Sequence, residues 1–159
     1  MTEPLRPARW WKGHRGEWYV ALQAVFLALV AFGPRGPAWQ LPALRGAGIA
    51  LIATGALLAL LATRRLGRNL TPLPHPKDDG TLVETGPYAW VRHPIYCGLI
   101  LAAFGWALVV QDWLTLVYSA LLFVFFDIKS RREEAWLSAR FPAYADYRRR
   151  VRKLIPFIY

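Results

Sequence analysis

Residues with chemical potential lie at the borders of apolar stretches. Arg92 and His93 stand directly before an uncharged stretch, and Glu133 and Glu134 follow another. Ionisable side chains are costly at a membrane boundary and tend to mark a functional site there. A lone Arg-His pair can also serve only to fix topology, and Glu beside Arg often forms a solvated pair. These four residues are therefore candidates whose chemistry depends on their surroundings.

The sequence lacks the patterns that carry metal or nucleophile chemistry. Cys97 is the only cysteine, which excludes an internal disulfide and a multi-cysteine metal site. No catalytic triad and no metal-ligand spacing is apparent. We therefore predict no metal and no dedicated catalytic acid, base or nucleophile.

The elements that must position these residues are apolar. Hydrophobic residues make up 55% of the chain and aromatic residues 14%, with a mean hydropathy of +0.23. Four stretches without charge, 18–34, 46–63, 93–111 and 113–126, approach the roughly 20 residues that cross a bilayer, the fourth being short. A soluble fold would have too little polar surface to cover them. The sequence predicts an all-α integral membrane protein with about four transmembrane helices.

The basic residues indicate the orientation in the membrane. All but Arg35 and Arg45 of the 20 Lys and Arg residues lie before the first stretch, between the second and third, or after the fourth. The positive-inside rule then puts both termini and the long middle loop in the cytoplasm, as in a multi-pass protein of a bacterial inner membrane. Anionic membrane lipids are expected partners. Nucleic acid is not, because the charge is spread over three segments without a binding motif.

We predict a single domain, 1–159. Its parts are a retained cytoplasmic tail (1–17), spans one and two (18–64), a cytoplasmic loop (65–92), a helical hairpin of spans three and four (93–128), and cytoplasmic C-terminal helices (129–159).

Two polar segments flank the hairpin. The loop before it is rich in proline and contains an Asp-Asp-Gly turn, so it is predicted to be structured, and a loop of this length is usually functional. It could also only link two spans. The segment after it spaces apolar residues between charges in a helical pattern, which predicts one amphipathic helix, or two broken at Pro142, lying on the membrane surface.

Four motifs in this order give the chain a family resemblance. They are Gly-Pro-Tyr through Arg-His-Pro-x-Tyr (86–98), Arg-Arg-Glu-Glu (131–134), Phe-Pro-Ala-Tyr-Ala-Asp-Tyr (141–147) and Arg-Arg-Val-Arg-Lys-Leu-Ile-Pro (149–156). Together they resemble the isoprenylcysteine carboxyl methyltransferase and phospholipid methyltransferase family of membrane enzymes. The resemblance covers about residues 70–159, whereas the first two spans carry only hydropathy.

The resemblance implies S-adenosylmethionine as cofactor, bound in a cytoplasmic pocket. Carried over by motif, the cofactor residues are Thr81, Leu82, Val83, Tyr88, His93, Pro94, Ile95, Tyr96 and one of the two glutamates, Glu133 by spacing. Lys129 and Arg131 fall on the substrate side. The family has an arginine at the position of Lys129, and lysine lacks its planar fork.

These residue types suit that cofactor. Its carboxylate, ammonium and sulfonium call for a cation, an anion and aromatic faces, which His93 or Arg92, Glu133, and Tyr88 or Tyr96 can supply. Methyl transfer is an in-line displacement that needs alignment and exclusion of water more than acid or base groups.

Alternatives remain open at this point. The methyl acceptor could be a prenylcysteine-type carboxylate, a lipid head group, or a small hydrophobic thiol or acid. A second class is an NADPH-dependent reductase related to membrane sterol reductases, and a third is a non-catalytic membrane protein that kept the fold.

Overall fold

The computed structural model describes residues 16–77 and 79–159, and this part of the chain is helical without a named strand. Five helices follow one another: α1 (Glu17–Phe32), α2 (Ala43–Leu66), α3 (Pro94–Val110), α4 (Trp113–Arg140) and α5 (Tyr144–Arg150). Short 3-10 turns cover Gly67–Asn69 and Gly86–Ala89. The all-α prediction is confirmed, and the predicted tail lies, up to residue 15, outside the described residues.

The fourth helix corrects one predicted boundary. The sequence divided the chain at residue 128, whereas α4 continues without interruption to Arg140. No glycine or proline lies between Trp113 and Pro142, so nothing stops the helix after its apolar part. Lys129, Glu133 and Glu134 therefore stand on the same rigid helix as the apolar residues before them.

Two helices are long and apolar enough to cross a membrane by length and composition, at Ala43–Asn69 and Trp113–Arg140. The other two apolar helices, α1 and α3, have 16 and 17 residues. Large apolar side chains are exposed on the outer faces of α1, α2 and α4, among them Val25, Ile49 and Leu121. Such apolar surface is typical of contact with lipid.

Helices α2 and α3 pack closely along paired glycines. Gly48 faces Gly105, and Gly55 faces Gly98, so close that a Cβ atom on Gly55 would lie 2.4 Å from the carbonyl oxygen of Gly98. Small residues of this kind let helix backbones approach in a membrane. The antiparallel contact brings the start of α3 beside the end of α2, and the loop between them closes over this end of the bundle.

A polar turn fixes the opposite end. Asp112 caps α4 by accepting hydrogen bonds from the backbone and hydroxyl of Thr115, both at 2.7 Å. Its other oxygen accepts from the backbone of Gly36 at 2.7 Å, and Gln111 holds a left-handed conformation with φ 55°. The α1–α2 connection is thereby attached to the α3–α4 turn.

The C-terminal segment corrects a second prediction. The chain does break at Pro142, as the two-helix alternative has it, but the apolar face of α5 is turned toward the protein and is not exposed. Tyr144 and Tyr147 are 1% and 2% exposed because they pack inward, against Leu82, Leu137 and Phe141. The aromatic residues that suggested a surface helix form a second small core.

Candidate functional site

A cavity of ≈ 340 Å³ lies under the α2–α3 loop. Its walls come from that loop, the start of α3, the second half of α4, and α5, with one residue each from α1 and the end of α2. All nine predicted cofactor residues line it: Thr81, Leu82, Val83, Tyr88, His93, Pro94, Ile95, Tyr96 and Glu133. Lys129 lines it as well. Arg131 does not, since its side chain is exposed and pairs with Asp127 at 2.7 Å.

Helix α4 and its C-terminal cap contribute a row of four cavity residues, three on the helix and Phe141 directly after it. Lys129, Glu133, Leu137 and Phe141 are four positions apart and all line the cavity. Residues at this spacing share one helix face, one above the other. Along the row the wall changes from a cation to an anion and then to apolar and aromatic side chains, so the cavity has a charged end and an apolar end.

Glu133 presents its carboxylate to the cavity. Oε2 accepts a hydrogen bond from the Tyr96 hydroxyl at 2.8 Å, and it lies 3.7 Å from Nδ1 of His93. The Tyr96 ring is held in turn between parallel rings, with centroids 5.4 Å from His93 and 4.6 Å from Phe126. The carboxylate is thus oriented by a stacked aromatic group and keeps its remaining acceptor sites for a ligand.

Glu134 lies behind this wall and does not line the cavity. It is 5% exposed, and Oε1 accepts from Nε of Arg92 at 2.8 Å and meets Nε2 of His93 at 3.1 Å. Arg148 approaches its other oxygen at 3.8 Å. The neighbouring glutamates therefore have separate surroundings, Glu133 toward the cavity and Glu134 toward the buried side chains of Arg92 and His93.

The chain after α5 holds the Arg-His-Pro segment from outside. The backbone amides of Arg92 and His93 donate to the carbonyls of Arg152 at 2.8 Å and Lys153 at 3.1 Å. The guanidinium of Arg92 also donates to the carbonyl of Val151. These contacts bring two segments more than 50 residues apart together and fix the position of His93 at the cavity.

Lys129 is 1% exposed and lies at the charged end. Its Nζ donates to Oε1 of Gln23 at 2.5 Å and to the carbonyl of Pro72 at 3.2 Å, and it sits 5.1 Å from the centroid of the Tyr96 ring. Helix α1 and the loop therefore both position this ammonium group.

The tyrosines of the cavity are neutral hydroxyl groups. Burial, reinforced by the charge of Glu133, raises the pKa of Tyr88 far above its usual value, and burial likewise raises the pKa of Tyr144 and Tyr147. The hydroxyl of Tyr147 donates to the carbonyl of Tyr88 at 2.7 Å. The buried hydroxyl oxygen of Tyr144, in contrast, has no hydrogen-bond partner in the described part of the chain.

Sequence reasoning missed several contributors to the cavity, among them Gln23, most of the loop residues from Asn69 to Lys77, and the pair Tyr144 and Tyr147 as wall residues. Gln23 had a detectable signal, since it is the only side-chain amide within the apolar stretch of α1. A polar side chain in such an apolar helix usually serves a partner. Tyr144 and Tyr147 gave no such signal in the sequence, because a helix that packs its apolar face on the protein and one that packs it on a membrane have the same periodicity.

The chain resembles known methyltransferases. Residues 44–143 match the sequence profile of the phospholipid methyltransferase family. The protein-S-isoprenylcysteine O-methyltransferase of Saccharomyces cerevisiae is 35% identical over 115 residues, which are 70% of this chain and 48% of that protein. The enzyme of the same name from Rattus norvegicus is 33% identical over 127 residues, 75% of this chain and 43% of that protein.

A solved structure shares the fold. The eukaryotic intramembrane Ras methyltransferase, isoprenylcysteine carboxyl methyltransferase, aligns with a TM-score of 0.65 at 24% identity, over 98% of this chain and 55% of that one. The chain spans about half the length of the curated relatives it matches. Helix α1 and the last residues of the cavity wall, Tyr144 and Tyr147, lie outside the family match.

Proposed function

Since the chain belongs to the phospholipid methyltransferase family, we propose that it is an S-adenosylmethionine-dependent methyltransferase that acts on a lipophilic acceptor at the cytoplasmic face of a membrane. One observation carries the proposal: the row on α4 that places a cation, a carboxylate and an apolar end along a single cavity. This order matches a ligand with an amino-acid end and a heterocyclic end, with an acceptor site beyond it.

The cavity fits the cofactor by size and by chemistry. A volume of ≈ 340 Å³ is within the roughly 300–1,000 Å³ of cavities that bury small organic ligands. Glu133 would accept from the ammonium, the ring of Tyr88 would lie against the sulfonium, and Leu82, Val83 and Ile95 would pack on the base. Both faces of Tyr96 are already covered by His93 and Phe126, which leaves it the role of orienting Glu133. The cofactor supplies an electrophilic methyl group when bound.

The residues of this chain then have binding and shielding roles. The loop over the cavity excludes water, which keeps the electrostatic contacts strong and prevents hydrolysis. The hydrogen bond from Tyr96 orients Glu133, and the stacked ring of His93 limits the movement of Tyr96. Methyl transfer to an acceptor that is already nucleophilic needs this alignment and no further acid or base.

We place the acceptor at the charged end, beside Lys129. The buried ammonium group would attract an anionic acceptor, such as a carboxylate or thiolate, and would repel a protonated amine. The names of the relatives from yeast and rat make a prenylcysteine carboxylate the first acceptor to test. Arg131, the other predicted substrate residue, points away from the cavity, so we assign it no contact with the acceptor.

The membrane arrangement is part of the same proposal. All four long helices, α1 to α4, would cross the bilayer, with the cavity and both chain ends on the cytoplasmic side. The exposed apolar faces of α1, α2 and α4 support this arrangement. The exposed arginines of α5, Arg148 to Arg150, suit an anionic cytoplasmic surface.

Calorimetric titration of the detergent-purified protein with S-adenosylhomocysteine tests the proposal, with NADPH as the parallel control. We expect saturable micromolar binding of the first and no binding of the second. Transfer of a labelled methyl group from S-adenosylmethionine to N-acetyl-S-farnesylcysteine then tests the acceptor. Binding of NADPH alone would replace the methyltransferase by a reductase, and binding of neither would indicate a non-catalytic protein.

A further inference from the structure

Asp127 lies outside the cavity and holds the C-terminal segment against α4. Its Oδ1 accepts hydrogen bonds from Nζ of Lys153 and from the hydroxyl of Tyr159, the latter at 2.8 Å, and its Oδ2 accepts from Nε of Arg131 at 2.9 Å. The side chains of Asp127 and Lys153 are only 13% and 10% exposed. A buried charge that loses its partner is strongly unfavourable, so this ion pair fixes the place of Lys153.

Lys153 in turn holds the Arg-His-Pro segment through its backbone. Its carbonyl oxygen accepts from the amide of His93 at 3.1 Å, and the carbonyl of Arg152 accepts from the amide of Arg92 at 2.8 Å. The residue whose side chain Asp127 fixes is therefore the residue whose carbonyl holds His93. A displacement of Lys153 would be passed to His93 across a single hydrogen bond.

His93 is the point at which these contacts reach the cavity. Its ring stacks on that of Tyr96 with centroids 5.4 Å apart, and its Nδ1 lies 3.7 Å from Oε2 of Glu133. Asp127 does not line the cavity. It precedes Glu133 on α4 by six residues and so faces about 120° away around the helix. Its carboxylate can thus affect the cavity through Lys153 and His93 but not by direct contact.

We propose that Asp127 is a positioning residue for the amino-acid end of the cofactor site, acting through Lys153 on His93 and thereby on the carboxylate of Glu133. The inference rests on the proposed function, in which Glu133 accepts from the ammonium of the ligand. It adds to that function a residue that lies in none of the four motifs and outside the cavity. The base end is formed mainly by residues 82–83 of the loop, so the effect should be confined to the amino-acid end.

The C-terminal segment should stay attached when this ion pair is removed. Val151 packs in the second small core, and Leu154 is 1% exposed in the main hydrophobic core. These apolar contacts flank Lys153 on both sides. Substitution at Asp127 or Lys153 should therefore displace the backbone at Lys153 locally without unfolding the protein.

Asp112 provides the matched control, because it is also a buried carboxylate on α4 that fastens a distant segment. It is 3% exposed and accepts from the backbone amide of Gly36 at 2.7 Å. It caps the start of α4, at the end of the bundle opposite the cavity. Asp112→Ala should therefore lower the thermal midpoint and leave ligand affinity unchanged.

The test is calorimetric titration, well below the thermal midpoints, of the wild type, Asp127→Ala, Lys153→Met and Asp112→Ala with two ligands. S-Adenosylhomocysteine has a base and an amino-acid end, whereas 5′-methylthioadenosine has the base but no amino acid. We expect Asp127→Ala and Lys153→Met each to weaken the binding of S-adenosylhomocysteine about tenfold and that of 5′-methylthioadenosine less than about twofold. In a His93→Asn background, Asp127→Ala should cause no further loss, since both substitutions act on the same contact.

Unchanged affinity for S-adenosylhomocysteine in both Asp127→Ala and Lys153→Met would overturn the inference. An equal loss for both ligands, or a similar loss in Asp112→Ala, would also overturn it, because the effect would then reflect a general loosening of the fold. So would an additional loss of affinity when Asp127→Ala is combined with His93→Asn. Each of these outcomes presupposes a wild type that binds S-adenosylhomocysteine, whereas a wild type that does not bind it would refute the proposed function itself.

Discussion

The paired glutamates allow a sharp prediction, because adjacent residues of one type have opposite environments. Glu134→Gln removes the charge that faces Arg92 and His93, whose contacts are at 2.8 and 3.1 Å and whose side chains are nearly inaccessible. Loss of one partner from a buried ion pair typically costs roughly 3–5 kcal/mol. Because the amide still offers one acceptor oxygen, we expect the free energy of unfolding to fall by about 3 kcal/mol, which lowers the melting temperature by on the order of 10 °C.

Glu133→Gln should have the converse effect. Its carboxylate is partly exposed to the cavity and its hydrogen-bond partner there is the hydroxyl of Tyr96, so we expect a stability change of about 1 kcal/mol or less. Loss of the contact with the ligand ammonium should weaken the binding of S-adenosylhomocysteine at least tenfold, which corresponds to about 1.4 kcal/mol. The two variants thus separate affinity from stability.

Thermal unfolding followed by tryptophan fluorescence and titration with S-adenosylhomocysteine measure both quantities on the same detergent samples. His93→Asn is a useful third variant. His93 contacts both carboxylates, so this substitution should lower both the melting temperature and the affinity for S-adenosylhomocysteine. The reasoning is refuted if Glu134→Gln leaves the melting temperature unchanged, or if Glu133→Gln unfolds the protein at a temperature as low as Glu134→Gln does.

Two further predictions concern the scaffold. Gly55→Ala should destabilise the α2–α3 contact by about 1–3 kcal/mol because its Cβ would meet the backbone of Gly98. Gly46→Ala on the same helix has no atom within 4 Å of the new Cβ and should be neutral or stabilising. Thermal unfolding of both variants tests this, and equal midpoints would contradict the close packing. Asp112→Ala should lower the free energy of unfolding by roughly 1–2 kcal/mol through loss of the helix cap and of the hydrogen bond from Gly36, and Asp112→Asn should retain most of this stability. The same unfolding measurement checks both variants, and an alanine variant as stable as the wild type would contradict the capping role.

Hydropathy and charge were sufficient to predict the helices, since each apolar stretch in the sequence corresponds to one. The bounds of α3 follow from His93-Pro94 at its start, where proline suits the first helical position, and from the Gln111-Asp112 turn at its end. The length of α4 was not predicted, because a change from apolar to charged residues marks a change of environment and need not mark a change of secondary structure.

The cavity was predicted in its members but not in its arrangement. The motif match named nine residues that line it, yet a motif says nothing of side-chain direction. The different directions of Glu133 and Glu134 arise from the 100° between successive residues of a helix. Gln23 and the C-terminal carbonyls of Arg152 and Lys153 could not be placed, because they depend on contacts between distant parts of the chain. Local periodicity carries no information about such contacts.

The continuity of α4 fixes the spacing between the charged and the apolar end of the cavity. Lys129 and Leu137 are eight residues apart, so at 1.5 Å per residue the row extends about 12 Å along a single helix, and Phe141 follows directly after the helix end. A break at residue 128 would have allowed the apolar and charged parts of α4 to move independently. In the unbroken helix, the same element that exposes an apolar outer face sets the distance from the charged end of the cavity to its apolar end, with Glu133 between them. A lipophilic acceptor reaching Lys129 from the membrane side would therefore meet a methyl donor whose position is fixed by the helix itself, and the loop need only close over both.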